Sequence, residues 1–412
     1  MTSGELRRLG TADAVVLGLA AMLGTGVFAV WPAAAAAAGP WLLLAVVLAA
    51  LVAACNAGSA ADLAVAHPES GGGYVYGYER VSPAVGRLAG VAFLVGKIAS
   101  AAAAAGVFGG YVLPSAPLVA AIPAVVVVTV LNSAGVRWTA RGAYTLVGGT
   151  LVVLLAVVVI GLVAGGSDVA PALPDVGPAP GGGVLGVLTA AGLIFFAFAG
   201  YARIATLAGE VVDPGRSIRR AVVIALGITL VTYLLVAVAL LVGLGSARLA
   251  TEPAPLVSLV DSAGVNAVGV LVRVGAAVAA GSALLSVLVG VSRTAVAMSR
   301  RGDLAAGLGV IGSRGTPYRA DAIGGLLAIG VTVLAGPIAA IALSACSVLV
   351  YYAVVNLAAL RLAAGERRWP RWIAWLGLAL CVGLALLLPL PQVLITALAL
   401  TLGWTAVTFL RR

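Results

Sequence analysis

Lys97 is the one lysine in a chain that carries 24 Lys and Arg residues. It stands inside the apolar run Val91-Ala-Phe-Leu-Val-Gly-Lys97-Ile-Ala-Ser-Ala-Ala-Ala-Ala-Ala-Gly106, and no carboxylate lies nearer in sequence than Glu79 or Asp168. An ammonium at the centre of a hydrocarbon-spanning helix costs roughly 2.5–3.5 kcal/mol on insertion scales, so it normally faces a cavity or a partner. A lysine so placed can also shed that cost by giving up its proton, which makes it a candidate proton-exchanging group. The alternatives are a substrate ligand, a structural cation bonded to backbone carbonyls, or a lysine snorkelling to the interface; the distance from Lys97 to either end of its run makes snorkelling hard.

Other groups with chemical potential are few. Ser282 and Ser286 lie one helical turn apart, so their hydroxyls share a face and suit a bound cation or a bond to a neighbouring helix. Arg203, Arg273 and Arg293 fall in or near apolar runs, whereas Asp13, Asp62 and Glu210 read near the ends of theirs. Cys55, Cys346 and Cys381 have no metal-ligand spacing and read as packing residues, and the lone His67 reads as an exposed loop residue. No nucleophile, metal set or paired acid stands at depth, so no enzyme, no metal and no cofactor is expected.

The elements that hold these residues are set by composition. The chain is 62% hydrophobic and 9% charged, with a mean hydropathy of +1.17, whereas a soluble domain carries about 25% charged residues. At ~20 residues per crossing, 412 residues leave room for about a dozen spans. The apolar segments are too long and continuous for barrel strands. An all-α polytopic membrane protein of one domain, residues 1–412, is expected, with twelve spans at 11–38, 41–64, 86–111, 116–132, 143–165, 184–212, 219–244, 266–298, 321–335, 338–360, 372–389 and 392–410. No cleavable leader is expected, because the apolar stretch after Arg7 and Arg8 is long enough to span.

The formal charge of +10 is not a nucleic-acid footprint. The arginines gather in alternate connections and at both termini: Arg7/Arg8, Arg80/Arg87, Arg137/Arg141, Arg216/Arg219/Arg220, Arg300/Arg301/Arg314/Arg319, Arg361/Arg367/Arg368/Arg371 and Arg411/Arg412. The intervening loops hold almost none. This is the positive-inside pattern, which places both termini in the cytoplasm and requires an even number of spans. The Ala-, Val-, Leu-, Gly- and Arg-rich composition points to a bacterial inner membrane.

Two spans are interrupted by glycine at corresponding places. The first reads Gly18-Leu-Ala-Ala-Met-Leu-Gly24-Thr-Gly26-Val-Phe28, and the sixth reads Gly192-Leu-Ile-Phe-Phe196-Ala-Phe-Ala199-Gly200-Tyr201-Ala-Arg203. Glycine pairs can also serve close helix packing, but two interruptions five spans apart are the pattern of an inverted repeat. The repeats are expected at 11–165 and 184–360, with two further helices at 372–410. Broken helices expose amides and carbonyls at the midplane, where substrate and coupling ions bind.

Four stretches resemble the amino acid-polyamine-organocation superfamily of permeases: Gly24-Thr-Gly-Val-Phe28, His67-Pro-Glu-Ser-Gly-Gly-Gly-Tyr74-Val-Tyr76, Phe195-Phe-Ala-Phe-Ala-Gly-Tyr201 with Gly209-Glu-Val-Val-Asp-Pro-Gly-Arg216-Ser-Ile218, and Ser292-Arg-Thr-Ala-Val-Ala-Met-Ser-Arg300. The resemblance implies the leucine-transporter type of 5+5 inverted-repeat fold and secondary active amino acid transport. It implies that Leu23, Gly24, Thr25 and Gly26 hold a substrate carboxylate, that Ala199, Gly200 and Tyr201 face its ammonium, and that Phe196 is an aromatic gate. It also implies an ion role for hydroxyls such as Ser282 and Ser286. Two departures stand out. Where many sodium-independent members have a fifth-span lysine, this chain has Thr150; where some basic-substrate antiporters have a sixth-span glutamate, it has Ala202 followed by Arg203.

The residues and the resemblance together point to proton-coupled uptake of neutral amino acids, with Lys97 as the coupling residue. Sodium coupling, exchange, or a sensor that binds without transport are the alternatives. The glycine- and tyrosine-rich loop from Ala66 to Pro83 reads either as a gate element or as an interfacial connector. Arg203 is expected near Glu210.

Overall fold

The computed structural model describes residues 9–67, 71–135, 140–165, 183–207 and 211–409. Helix follows helix throughout. The order is α1 (Thr11–Met22), α2 (Gly26–Ala29), α3 (Trp31–Ala38), α4 (Leu42–Ala66), α5 (Gly73–Arg80), α6 (Pro83–Val112), α7 (Pro117–Ser133), α8 (Ala140–Gly165), α9 (Val184–Phe198), α10 (Ala202–Ala205), α11 (Pro214–Thr251), α12 (Pro255–Ser262), α13 (Asn266–Arg300), α14 (Tyr318–Ala359), α15 (Arg371–Leu387) and α16 (Leu390–Phe409). The one extended pairing among the described residues is an isolated parallel bridge between Leu9 and Val211. A backbone that must pair its own amides and carbonyls in hydrocarbon has helix as its solution. Proline marks the starts of α6, α7, α11 and α12, where its missing N–H costs nothing.

Nine helical stretches among the described residues are long and apolar enough to cross a bilayer, and Pro117–Ser133 and Arg371–Leu387 are shorter apolar helices. Where the sequence suggests separate ninth and tenth spans, α14 consists of two helical segments that meet at Gly336 (φ 67°, ψ 171°). Its two halves run in opposite senses: Gly325 lies against Thr129 of α7, whereas Pro337 lies against Gly106 and Val348 against Gly96 of α6. The chain therefore reverses at Gly336, a conformation that costs glycine little.

Helix α6 occupies the middle of the bundle, flanked by α14 and α13. A buried amide network fastens α4 to α14: Asn356 Nδ2 donates to Asn56 Oδ1 (2.6 Å), and Ser59 Oγ donates to Asn356 Oδ1 (2.7 Å). The segment read as gate or connector contains a packed helix, α5, with Tyr74 and Tyr76 buried. The amide of Gly73 donates to Tyr351 Oη (2.8 Å). Tyr74 Oη donates to Asp303 Oδ2 (2.6 Å), and Arg87 Nε donates to Asp303 Oδ1 (3.1 Å). Further out, Arg301 pairs with Glu79 (2.9 Å), and Arg80 forks onto Glu366 (2.9 and 2.6 Å). His67, expected to be an exposed loop residue, is instead half-buried and accepts from Arg80 Nε (2.7 Å).

The Arg80 guanidinium holds the Glu366 carboxyl below the usual carboxylate range. Since its folded value lies under its unfolded one, the pair contributes at pH values above the ordinary carboxylate range and is lost as pH falls through the depressed value. Asp303 is fully buried, so its loss strands the buried Arg87 guanidinium. Asp303→Ala should therefore destabilise the protein by about 3–5 kcal/mol. The combined Arg87→Met, Asp303→Leu variant should recover most of that loss. Thermal unfolding of the two variants in one detergent checks both statements.

Candidate functional site

The first-span interruption is real helix breakage. Helix α1 ends at Met22, Leu23 to Thr25 carry no regular helix, and α2 resumes at Gly26. The sixth-span interruption takes a milder form: α9 ends at Phe198, Ala199–Tyr201 form a 3-10 turn, and α10 continues. The two breaks meet. A Cβ on Gly26 would stand 2.5 Å from Ala197 Cα, and one on Gly200 would stand 2.5 Å from the Ala21 carbonyl oxygen. Backbones cross this closely only where both partners lack bulk. Toward the arginine-rich end the same helices stay paired through Gly18 against Ile204 and through Val212 N–H donating to the Leu9 carbonyl (3.1 Å).

The carbonyls at the breaks find partners on other helices. Tyr233 Oη of α11 lies 2.6 Å from the Met22 carbonyl oxygen and 3.1 Å from that of Ala197, so one hydroxyl serves both breaks. Tyr111 Oη of α6 donates to the Phe28 carbonyl (2.9 Å), and Trp31 Nε1 donates to that of Val27 (2.6 Å). The amides are left over. Among the described residues no backbone carbonyl accepts from the N–H groups of Gly24, Thr25 or Gly26. Thr25 Oγ1 is likewise buried with no hydrogen-bond partner. Unpaired donors inside a low-dielectric bundle are costly, and an incoming anionic group relieves that cost. Leu23 is buried beside them.

The other predicted residues fall into two sets. Ala199 and Tyr201 are buried and Gly200 is half-buried at the crossing, with the Tyr201 ring 5.2 Å from that of Tyr352. Phe196 is half-buried beside Ala102 and Ala103 of α6 and Ala340 and Ile341 of α14. Helix α13 reaches the first break through Ala283, whose Cβ lies 3.0 Å from the position of a Cβ on Gly24. Ser282 beside it is buried and Ser286 half-buried, and neither hydroxyl has a recorded hydrogen bond among the described residues. Thr150, at the place of the family's fifth-span lysine, is buried in α8. Arg203 is half-buried on α10, and Arg293 is exposed; Glu210, expected near Arg203, lies outside the described residues.

Lys97 sits midway along α6, half-buried. Its ammonium lies 5.6 Å from the centroid of the Phe93 ring and makes no hydrogen bond or ion pair among the described residues. Phe93 opens an aromatic series: its ring is 5.2 Å from Tyr351, Tyr351 is 5.0 Å from Tyr352, and Tyr352 is 5.2 Å from Tyr201 and 5.8 Å from Phe195. Lys97 is thus joined to the sixth-span break by ring contacts.

Sequence reasoning overlooked the tyrosines. Tyr111, Tyr233, Tyr351 and Tyr352 stand in apolar runs, and a buried tyrosine seeks a partner for its hydroxyl; that was the available signal. Which carbonyl each reaches depends on helix packing and was not readable.

The amino acid permease family model matches residues 13–411. An uncharacterized transporter of Mycobacterium tuberculosis is 48% identical over 401 residues, covering 97% of this chain and 90% of the relative. The branched-chain amino acid permease BcaP of Bacillus subtilis is 28% identical over 349 residues, covering 77% of this chain and 73% of its own length. A solved structure of a manganese transporter mutant from Eremococcus coleocola superposes with a TM-score of 0.59 at 16% identity, covering 97% of this chain and 93% of that one. At that identity the likeness is one of fold, an all-helical transporter of the leucine-transporter type. The chain belongs to the amino acid permease family and is a multi-pass membrane transporter of amino acids.

Proposed function

We propose that this permease works by alternating access and takes up neutral amino acids together with protons, with Lys97 as the coupling residue. The observation that carries the substrate reading is the set of unpaired N–H groups at Gly24, Thr25 and Gly26 beside the buried, unpartnered Thr25 hydroxyl. These donors suit the carboxylate common to all amino acids. The turn at Ala199–Tyr201 faces the ammonium and Phe196 covers the site. No carboxylate is contributed by either break, so a cationic side chain would gain nothing there, and a neutral one costs least. The Bacillus subtilis relative is named for branched-chain substrates, in keeping with a neutral cargo.

Lys97 is suited to coupling because its ammonium has no counter-ion among the described residues. A cation–π contact contributes about 2 kcal/mol when desolvated, which offsets only part of the roughly 2.5–3.5 kcal/mol insertion cost. Gaining or losing a proton therefore changes the energy of this region of α6, and the ring series from Phe93 to Tyr201 links it to the sixth-span break. The repeats would comprise 11–165 and 184–360, with 372–410 outside them. Both termini are cytoplasmic on this reading, the arginine-rich face being the inner face of a bacterial inner membrane.

A second reading has one specific observation in its favour. Ser282 stands on α13 next to the residue that touches Gly24, and its hydroxyl makes no hydrogen bond among the described residues. Sodium held there, or obligate exchange, would replace the proton.

Proteoliposomes with an inward proton gradient and no sodium should accumulate a neutral amino acid from a radiolabelled panel. Accumulation that requires sodium or internal amino acid would shift the coupling to the Ser282 region or to exchange, and binding without flux would make the protein a sensor. Lys97→Ala should abolish gradient-driven accumulation while leaving counterflow of the same substrate; an unchanged pH dependence of uptake would remove Lys97 from the mechanism. Thr25→Val should raise KM by roughly 3- to 10-fold, the equivalent of one lost hydrogen bond, and Thr25→Ser should restore it.

A further inference from the structure

Away from the breaks, the arginine-rich face carries a groove of about 590 Å³ between α11 and the segment leading to α15. Arg219, Arg220 and Arg368 line it together with Trp369, Val223 and Ile224. It adjoins a smaller hollow of about 200 Å³, which shares Arg219 and Arg368 and reaches Asp62 and Glu366.

The charges in the groove are only partly offset: the Asp62 carboxylate attracts Arg219 and Arg368 at a distance but pairs with neither side chain among the described residues. Arg219, Arg220 and Arg368 are exposed, and none of the three makes an ion pair among the described residues. The two nearest carboxylates are already engaged. Glu366 holds Arg80, and Asp62 Oδ2 accepts from the backbone N–H groups of Arg368 (3.0 Å) and Trp369 (3.1 Å). Three guanidinium groups converging on one hollow repel one another until an anion joins them, and their planar forks match phosphate oxygens.

The groove is also half apolar. Val223 and Ile224 are 54% and 46% exposed on the outer side of α11. Trp372 and Trp375, at the start of α15, are exposed as well, as expected of aromatic side chains at a membrane–water boundary. A soluble anion would use the arginines and gain nothing from the aliphatic wall. A molecule with an anionic head and a hydrocarbon body uses both.

We infer that this groove is a binding site for an anionic phospholipid. The phosphodiester lies among Arg219, Arg220 and Arg368, with the Trp369 ring at headgroup level, and the first part of an acyl chain runs along Val223 and Ile224. The lipid would brace α11 against the segment that hydrogen-bonds to α4 through Asp62, and so stabilise that corner of the bundle. The inference rests on the chain being a multi-pass membrane protein and not on its substrate or coupling ion.

Native mass spectrometry of the full chain, loaded with phosphatidylglycerol or phosphatidylcholine, tests it. Phosphatidylglycerol should stay bound to the wild type under conditions that strip phosphatidylcholine. Removing each arginine should weaken retention about fivefold, the equivalent of roughly 1 kcal/mol per basic residue near a membrane surface. The Arg219→Gln, Arg220→Gln, Arg368→Gln variant should lose the lipid, whereas Arg300→Gln, Arg314→Gln, with two exposed arginines removed elsewhere, should keep it. If the triple variant does not fold, Arg220→Gln alone should still show the single fivefold step. Equal retention by the arginine variants and the control overturns the site. Displacement of the lipid by glycerol phosphate at matched concentration also overturns it, in favour of a soluble anion.

Discussion

Two helix backbones pressed together at their own interruptions set the terms for the rest of this structure. With Gly26 on Ala197 and Gly200 on the Ala21 carbonyl, the backbones of the first and sixth spans come into close contact at their breaks. Each break frees polar backbone groups at membrane depth, and hydrocarbon leaves such groups no substitute. The surrounding helices divide accordingly. Tyr233, Tyr111 and Trp31 supply donors to the freed carbonyls, and the amides of Gly24, Thr25 and Gly26 meet no backbone carbonyl among the described residues. The resulting polarity, with acceptors capped and donors left over, is the kind that suits an anionic group.

Tyr233 has a further part in this. By touching the Met22 and Ala197 carbonyls at once, its hydroxyl makes the two breaks a single mechanical unit, and α11 must follow whichever of them moves. The Phe93–Tyr351–Tyr352–Tyr201 series does the same between α6, α14 and the sixth span. Packed rings transmit displacement because interiors at crystal-like density have few voids to absorb it. Tyr351 also ties the ring series to α5, since its hydroxyl accepts from the Gly73 amide.

Much of this was legible in residue order. The helical, polytopic class follows from hydropathy alone, and the breaks follow from Gly24-Thr25-Gly26 and Ala199-Gly200-Tyr201, because glycine and a small neighbour inside an apolar run have few other uses. Lys97 was legible as an anomaly of charge. What was not legible depends on which residues distant in sequence become neighbours. Asp303 reads as an ordinary loop acid, yet it is fully buried against Tyr74 and Arg87. Nothing local marks Asn356 as the partner of Asn56, or Arg219 as a neighbour of Arg368. The reversal at Gly336 falls between the two spans that hydropathy suggests at 321–335 and 338–360.

Three of the fastenings of helix α5 involve ion pairs, and they differ in their surroundings. The Tyr74–Asp303–Arg87 contact is dry, whereas the Arg301–Glu79 and Arg80–Glu366 pairs sit at the surface. Mobile ions reach the second kind and not the first, with a screening length of about 8 Å at physiological ionic strength. Salt therefore loosens the outer two holds and leaves the inner one in place. Ionic strength at the arginine-rich face bears on how firmly the outer end of α5 is held.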